Sequence, residues 1–84
     1  MKVNVTKKTQ IPVVIGTEFI KLEAALKFAN AVESGGMAKA AIQDGLVSVN
    51  GEVCTMRGKK LYPGDKIAFD GNVYLISIHE ANEY

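Results

Sequence analysis

The 84 residues suffice for one hydrophobic core but not for two, so we expect a single domain over residues 1–84. With 48% hydrophobic and 23% charged residues the composition is globular rather than disordered, and the longest apolar run, residues 12–15, is far too short to span a membrane. The net charge of +1 by itself gives no argument for a nucleic-acid partner. A single cysteine, Cys54, and the lack of a secretory signal pattern lead us to expect a cytoplasmic protein.

The first third of the chain predicts a strand followed by a helix. Residues 11–15 are rich in β-branched side chains, and Pro12 restricts this segment to the edge or the start of a strand. In the helix, Glu23 and Lys27 have the spacing of a stabilising ion pair, and Asn30 suits a left-handed position at the C-terminal end. The apolar stripe that predicts this helix consists of Leu22, Ala25, Leu26, Ala29 and Val32.

A second helix is predicted over roughly residues 36–44. Ser34 is suited to cap its N-terminus, and Gly45 is suited to end it. Lys39 and Gln43 lie one turn apart on its outward face. The inward face would consist of Met37, Ala38, Ala41 and Ile42.

Beyond Gly45 the hydrophobic period changes from helical to two, which predicts strands. Together with the two helices, these strands predict an α+β fold in which two short helices pack on a small, mostly antiparallel sheet. Two hairpins are predicted, one with strands 46–49 and 52–54 around Asn50-Gly51 and one with strands 66–69 and 73–78 around Asp70-Gly71, joined by a basic loop over residues 55–60.

Few residues could perform catalysis or bind a metal, so we expect no enzyme, no cofactor and no metal site. Cys54 and His79 are each the only residue of their type. Cys54 is better explained as a small packed side chain, and His79 as a surface residue. The pair Gly35-Gly36 lacks the spacing of a dinucleotide-binding loop, and Gly58-Lys59 is not followed by the hydroxyl residue of a phosphate-binding loop.

The net charge of +1 is the sum of two basic segments and a more acidic remainder. Residues 1–17 and residues 53–61 each carry +3 without any acid, and the rest of the chain carries −5. Short basic clusters are either solvated surface or a binding patch, and charge alone does not separate these. Two glycines after Ser34 leave N–H groups open at a helix N-terminus, where a phosphate can bind, although a tight turn also explains them.

Residues 34–51 resemble the core of the S-four RNA-binding domain, also called the alpha-L motif. The family pattern is Ser-Arg-x-x-Ala-Arg-x-x-Ile-x-x-Gly-x-Val-x-Val-Asn-Gly, in which Lys39 stands here for the second Arg and Gly35 for the first. Upstream, residues 21–26 resemble the family's Arg-Leu-Asp-x-x-Leu, and residues 63–67 resemble its Gly-Asp-x-Ile turn. The identical positions are Ser34, Ala38, Ile42, Gly45, Val47, Val49, Asn50 and Gly51.

The resemblance covers residues 18–70, with a strand extension over 1–17 and a last strand over 72–79. It implies a non-catalytic protein that binds structured RNA, either ribosomal or transfer RNA, with no membrane and no small-molecule substrate. The chain is similar to the small stand-alone bacterial members, which implies the ribosome or a subunit precursor as partner and a role in ribosome assembly or a ribosome-associated process. The expected RNA-binding residues are Lys21, Ser34, Gly35, Gly36, Lys39, Gln43, Asn50, Arg57, Lys59 and Lys60.

Two further expectations concern the mode of binding. The phenylalanines and tyrosines lie mostly in apolar runs, so we expect contacts through RNA shape and phosphates rather than through base stacking. The alternative function is that of a protein–protein adapter whose basic loop docks an acidic partner. The low net charge and the glycine in place of the first Arg favour that alternative.

Overall fold

A computed structural model of the chain describes residues 10–78. The expectations for the N-terminal lysines, for the first nine residues and for His79 lie outside the described residues. Within residues 10–78 no helix is long and apolar enough to cross a membrane. The elements are β1 (Gln10–Ile15), β2 (Ile20–Lys21), α1 (Leu22–Phe28), α2 (Gly35–Gln43), β3 (Val47–Val49), β4 (Glu52–Val53), β5 (Lys60–Leu61), β6 (Lys66–Phe69) and β7 (Asn72–Ile78).

The strands form a five-stranded sheet and a separate two-stranded ribbon. The order in the sheet is β1-β7-β6-β3-β4, and the ribbon pairs β2 with β5. Only β1 and β7 run parallel, whereas all other pairs in the described chain are antiparallel. The predicted α+β fold with a mostly antiparallel sheet is therefore confirmed, and Pro12 lies in an edge strand as its missing N–H requires.

The hydrophobic core lies between the two helices and one face of the sheet. Alternate residues of each strand point into it, as in β1, where Val13 and Ile15 are almost fully buried. Cys54 is half-buried and packs against this core, in agreement with its interpretation as a small packed side chain. The largest fully buried side chains are Leu22, Leu26, Val47, Ile42, Leu61, Ile67 and Ile76.

Both predicted hairpin turns are present. Asn50 and Gly51 have φ angles of 52° and 91°, and Asp70 and Gly71 have 53° and 81°. Two successive positive φ angles match the right-handed twist of the strands, which explains why Asn-Gly and Asp-Gly predict such turns so well.

The apolar stripe of the first helix continues too far, because α1 ends at Phe28 and the stripe positions Ala29 and Val32 lie beyond it. Asn30 takes the left-handed conformation expected of it, with φ of 59°, and turns the chain back so that Val32 is still buried. The inward placement of Met37 is also wrong, since its side chain is 49% exposed. Met37 lies in the first turn of α2, ~100° around the helix axis from the buried Ala38. Its side chain therefore faces solvent.

Candidate nucleic-acid interface

The basic loop is fastened to the start of α1 by backbone hydrogen bonds. The N–H of Leu22 donates to the carbonyl of Lys59 at 2.9 Å, and the N–H of Glu23 donates to the carbonyl of Arg57 at 3.1 Å. Two of the N–H groups that every helix leaves open in its first turn are thereby satisfied. The loop and its cations consequently lie beside the N-terminal end of α1.

The ribbon brings Lys21 to the same place. Its register pairs Lys21 with Lys60 and Ile20 with Leu61. Because side chains alternate along a strand, the two lysines share the face opposite the buried Leu61. We call Lys21, Arg57, Lys59 and Lys60 the basic cluster.

The charge of the basic cluster is only partly balanced. Nη1 of Arg57 lies 3.9 Å from Oε1 of Glu23, and both side chains are well exposed, so this pair contributes little stability. The predicted partner of Glu23 was Lys27, one turn further along α1, and the loop supplies Arg57 instead. Within residues 10–78 the three lysines of the basic cluster have no carboxylate oxygen within 4.0 Å. The cluster therefore offers positive charge to an external anion.

Two aromatic side chains are exposed, although the aromatic residues lie mostly in apolar runs of the sequence. Phe28 is 60% exposed because it ends α1, and Tyr62 is 45% exposed because it follows Lys60 by two residues on the outer face of the ribbon. The ring centroids of Tyr62 and Phe19 are 5.9 Å apart with an interplanar angle of 51°. Nζ of Lys60 lies 4.8 Å from the centroid of the Phe19 ring.

The start of α2 lies against α1. The Ser34 hydroxyl accepts a hydrogen bond from the N–H of Met37 at 3.2 Å, which confirms the predicted cap. The N–H groups of Gly35 and Gly36 have no acceptor in the described part of the chain. A groove of about 490 Å³ separates the two helices here and is lined by Glu23, Ala24, Lys27, Phe28 and Gly35.

The sequence did not predict that Lys27 and Phe28 line this groove. Lys27 was assigned only to a pair within its own helix, and Phe28 lies outside the apolar stripe that defined the helix. The sequence did contain a signal for the exposure of Phe28. A large aromatic residue that lies outside the apolar stripe of a helix points away from the core.

Asn50 is used inside the fold. Its Nδ2 donates to Oδ1 of Asp65 at 3.1 Å, and its Oδ1 accepts from the N–H of Lys66 at 3.0 Å. The other carboxylate oxygen of Asp65 accepts from the N–H of Tyr62 at 2.7 Å. The side chain of Asn50 thus ties the first hairpin to the start of β6, whereas the sequence suggested close approach to RNA.

The expected site residues are therefore distributed over three places. The four members of the basic cluster meet at the start of α1. Ser34, Gly35 and Gly36 begin α2 beside that helix, and Lys39 and Gln43 are exposed further along α2. Asn50 lies in the first hairpin. No cluster of histidine, cysteine and carboxylate side chains within residues 10–78 is arranged to hold a metal ion.

Comparison with known proteins decides the family. A family model described as the S4 domain matches residues 13–77. The chain belongs to the S-four family. It is also 45% identical, over 60 residues, to the probable ribosome maturation protein RlbA of Bacillus subtilis (strain 168), a match that covers 71% of this chain and 84% of that protein. The family match extends beyond residues 18–70 at both ends and includes buried positions of β1 and β7.

Proposed function

We propose that this protein binds structured RNA, ribosomal or transfer RNA, through the basic cluster and without catalysis, in ribosome maturation or a related process. The observation that carries the proposal is the junction of the basic loop with α1, where cations from two distant segments meet beside the β2–β5 ribbon. The S-four family membership and the ribosome maturation protein of Bacillus subtilis support the RNA and the ribosome as partners. Such partners agree with the expected cytoplasmic location.

The chemistry of the cluster suits a sugar-phosphate backbone. Lysine and arginine side chains neutralise phosphates and release counterions, so that affinity falls as salt rises. Contacts of this kind position a folded RNA without reading its sequence. The net charge of the whole chain is only +1, which favours modest binding through local contacts.

The test compares Lys60→Ala with Lys66→Ala, two exposed lysines of which only Lys60 belongs to the basic cluster. Affinity for ribosomal RNA is measured over a series of salt concentrations. We expect Lys60→Ala to weaken binding and to lower the slope of log affinity against log salt by about one. Replacement of Lys21, Lys59 and Lys60 together should lower the slope by about two to three. Lys66→Ala should leave both quantities unchanged.

An unchanged slope in the triple variant would show that the RNA contacts another face. The alternative function, an adapter for an acidic protein, predicts a different result in cell extracts. Partners captured by the wild-type protein would then persist after ribonuclease treatment, and would be lost from the triple variant. RNA-mediated capture, in contrast, should disappear with ribonuclease.

A further inference from the structure

We infer that the outer face of the β2–β5 ribbon is a subsite for an unpaired nucleotide of the bound RNA. Its base would stack on Tyr62, and its phosphate would be bound between Lys21 and Lys60. The inference rests on the proposed RNA-binding function. It adds a stacking residue and a specific ligand feature, an extrahelical nucleotide, to the phosphate contacts of the basic cluster.

The ribbon register and the aromatic contacts place two cations and two aromatic rings close together. Lys21 and Lys60 are directly opposed. Phe19 and Tyr62 lie just outside the paired residues, and their rings are in contact at a centroid distance of 5.9 Å. Nζ of Lys60 lies 4.8 Å from the centroid of the Phe19 ring, which places both rings beside Lys60. Leu61, between Lys60 and Tyr62, points to the opposite side and is fully buried.

Tyr62 is held in place with part of its ring open to solvent. The ring leans on Phe19, which is only partly exposed, at a centroid distance of 5.9 Å. The backbone N–H of Tyr62 donates to Asp65, which fixes the chain at this point. An aromatic ring that is supported on one side and 45% exposed can stack with a nucleobase at a small entropic cost.

The two lysines independently point to an anion. Like charges directly opposed across antiparallel strands destabilise the pairing, and neither lysine has a carboxylate within 4.0 Å in the described chain. Lys60 is further held above the Phe19 ring, 4.8 Å from its centroid. A phosphate between the two ammonium groups would replace their mutual repulsion with attraction to the phosphate. Because a nucleotide carries both a base and a phosphate, one nucleotide could occupy Tyr62 and the two lysines together.

The experiment uses two RNA hairpins that differ only in one bulged nucleotide, a fluorescent aminopurine. We expect the wild-type protein to bind the bulged hairpin more tightly than the fully paired one and to quench the aminopurine. Tyr62→Leu, which keeps an apolar side chain but removes the planar ring, should weaken binding to the bulged hairpin about tenfold and abolish the quenching. Its binding to the paired hairpin should not change, and Tyr62→Phe should behave as wild type.

Phe28→Leu is the matched control, because Phe28 is the other well-exposed aromatic ring in the described residues. Thermal melts of each variant show whether it is folded at the assay temperature. If wild type binds both hairpins but shows no preference, or if Phe28→Leu causes the selective loss instead, the inference is overturned and the proposed function stands. If wild type binds neither hairpin, the proposed binding of structured RNA fails and the subsite with it.

Discussion

At the level of single residues, the role of a polar side chain depends on whether its hydrogen-bonding groups are already used within the fold. Asn50 has both ends of its amide engaged, one with Asp65 and one with the backbone of Lys66. Lys21 and Lys60 have no such partner in the described part of the protein. We therefore assign Asn50 a structural role and propose that the two lysines bind the ligand, although the sequence suggested all three as site residues.

The role of Asn50 predicts the effect of its replacement. Asn50→Gly keeps the left-handed backbone, where φ is 52°, but loses the side-chain hydrogen bonds, and should destabilise the fold by about 1–2 kcal/mol. Asn50→Ala adds strain at positive φ and should cost roughly 1 kcal/mol more. Free energies of unfolding in urea measure both effects, and the RNA affinity of the folded variants should stay at the wild-type value.

Asp70 supplies a matched control for this prediction. It occupies the same position of the second hairpin with φ of 53°, and its side chain makes no hydrogen bond within residues 10–78. Asp70→Gly should therefore be neutral or slightly stabilising. If Asn50→Gly proved as stable as wild type, the bonds to Asp65 and Lys66 would contribute nothing and the structural role would be wrong.

At the level of elements, the two helices begin differently. The first turn of α1 is satisfied by loop carbonyls, whereas the first turn of α2 has only the Ser34 cap, and the N–H groups of Gly35 and Gly36 remain without an acceptor in the described chain. Gly35 is also the position where the family pattern has an arginine. A Cβ at Gly35 would meet Lys27 Cδ at 3.9 Å, an ordinary contact, so space does not explain the glycine.

This geometry predicts the result of restoring the family residue. Gly35→Arg should fold with nearly unchanged stability, because the added helix propensity is offset by a positive charge at a helix N-terminus beside Lys27. It should bind RNA several-fold more tightly, with a salt slope larger by about one. The added guanidinium would lie beside Lys27 and α1, on the side where the basic cluster is. Affinity for ribosomal RNA across salt concentrations, together with urea unfolding, measures both effects.

Gly36→Arg is the control for position, since it adds the same charge about 100° around the helix. A Cβ there would lie 3.8 Å from Ser34 Oγ, so this variant also has room. Its stability should also be nearly unchanged, and its increase in affinity should be smaller. Equal gains from the two variants would indicate that net charge alone governs binding, and would argue against an interface between α1 and α2.

At the level of the whole molecule, the strands at the two ends of the described chain close the core. β1 and β7 pair in parallel along their full length, and β7 also pairs with β6. They contribute Val13, Ile15, Tyr74 and Ile76, which are at most 5% exposed. Residues outside the 18–70 segment identified by resemblance are therefore part of the same hydrophobic core.

This arrangement predicts the behaviour of fragments. Burial of the four side chains contributes roughly 1.5–3 kcal/mol each, which together is comparable to the whole stability of a small domain. A fragment of residues 18–70 should be unfolded, whereas residues 10–78 should unfold cooperatively. Circular dichroism and amide NMR spectra distinguish the two, and a well-dispersed spectrum from residues 18–70 would show that the outer strands are dispensable.

The sequence by itself determined the local features and the family. The Ser34 cap and the Asn-Gly and Asp-Gly turns depend on neighbouring residues, so a pattern of a few positions predicts them. The S-four resemblance depends on the same short-range patterns, and the family match over residues 13–77 confirms it. Asn30 marks the end of α1 in the sequence, although Ala29 and Val32 keep the helical period beyond Phe28.

Only the tertiary structure decided how the site is assembled. The pairing of Lys21 with Lys60 and the bonds from α1 to the loop carbonyls join segments far apart in the chain, and ribbon strands of two residues are too short to show a period. The exposure of Tyr62 and the engagement of Asn50 follow from those long-range contacts. Within residues 10–78, the ribbon pairing and backbone hydrogen bonds, rather than the order of charges along the chain, thus bring Lys21 close to Arg57, Lys59 and Lys60.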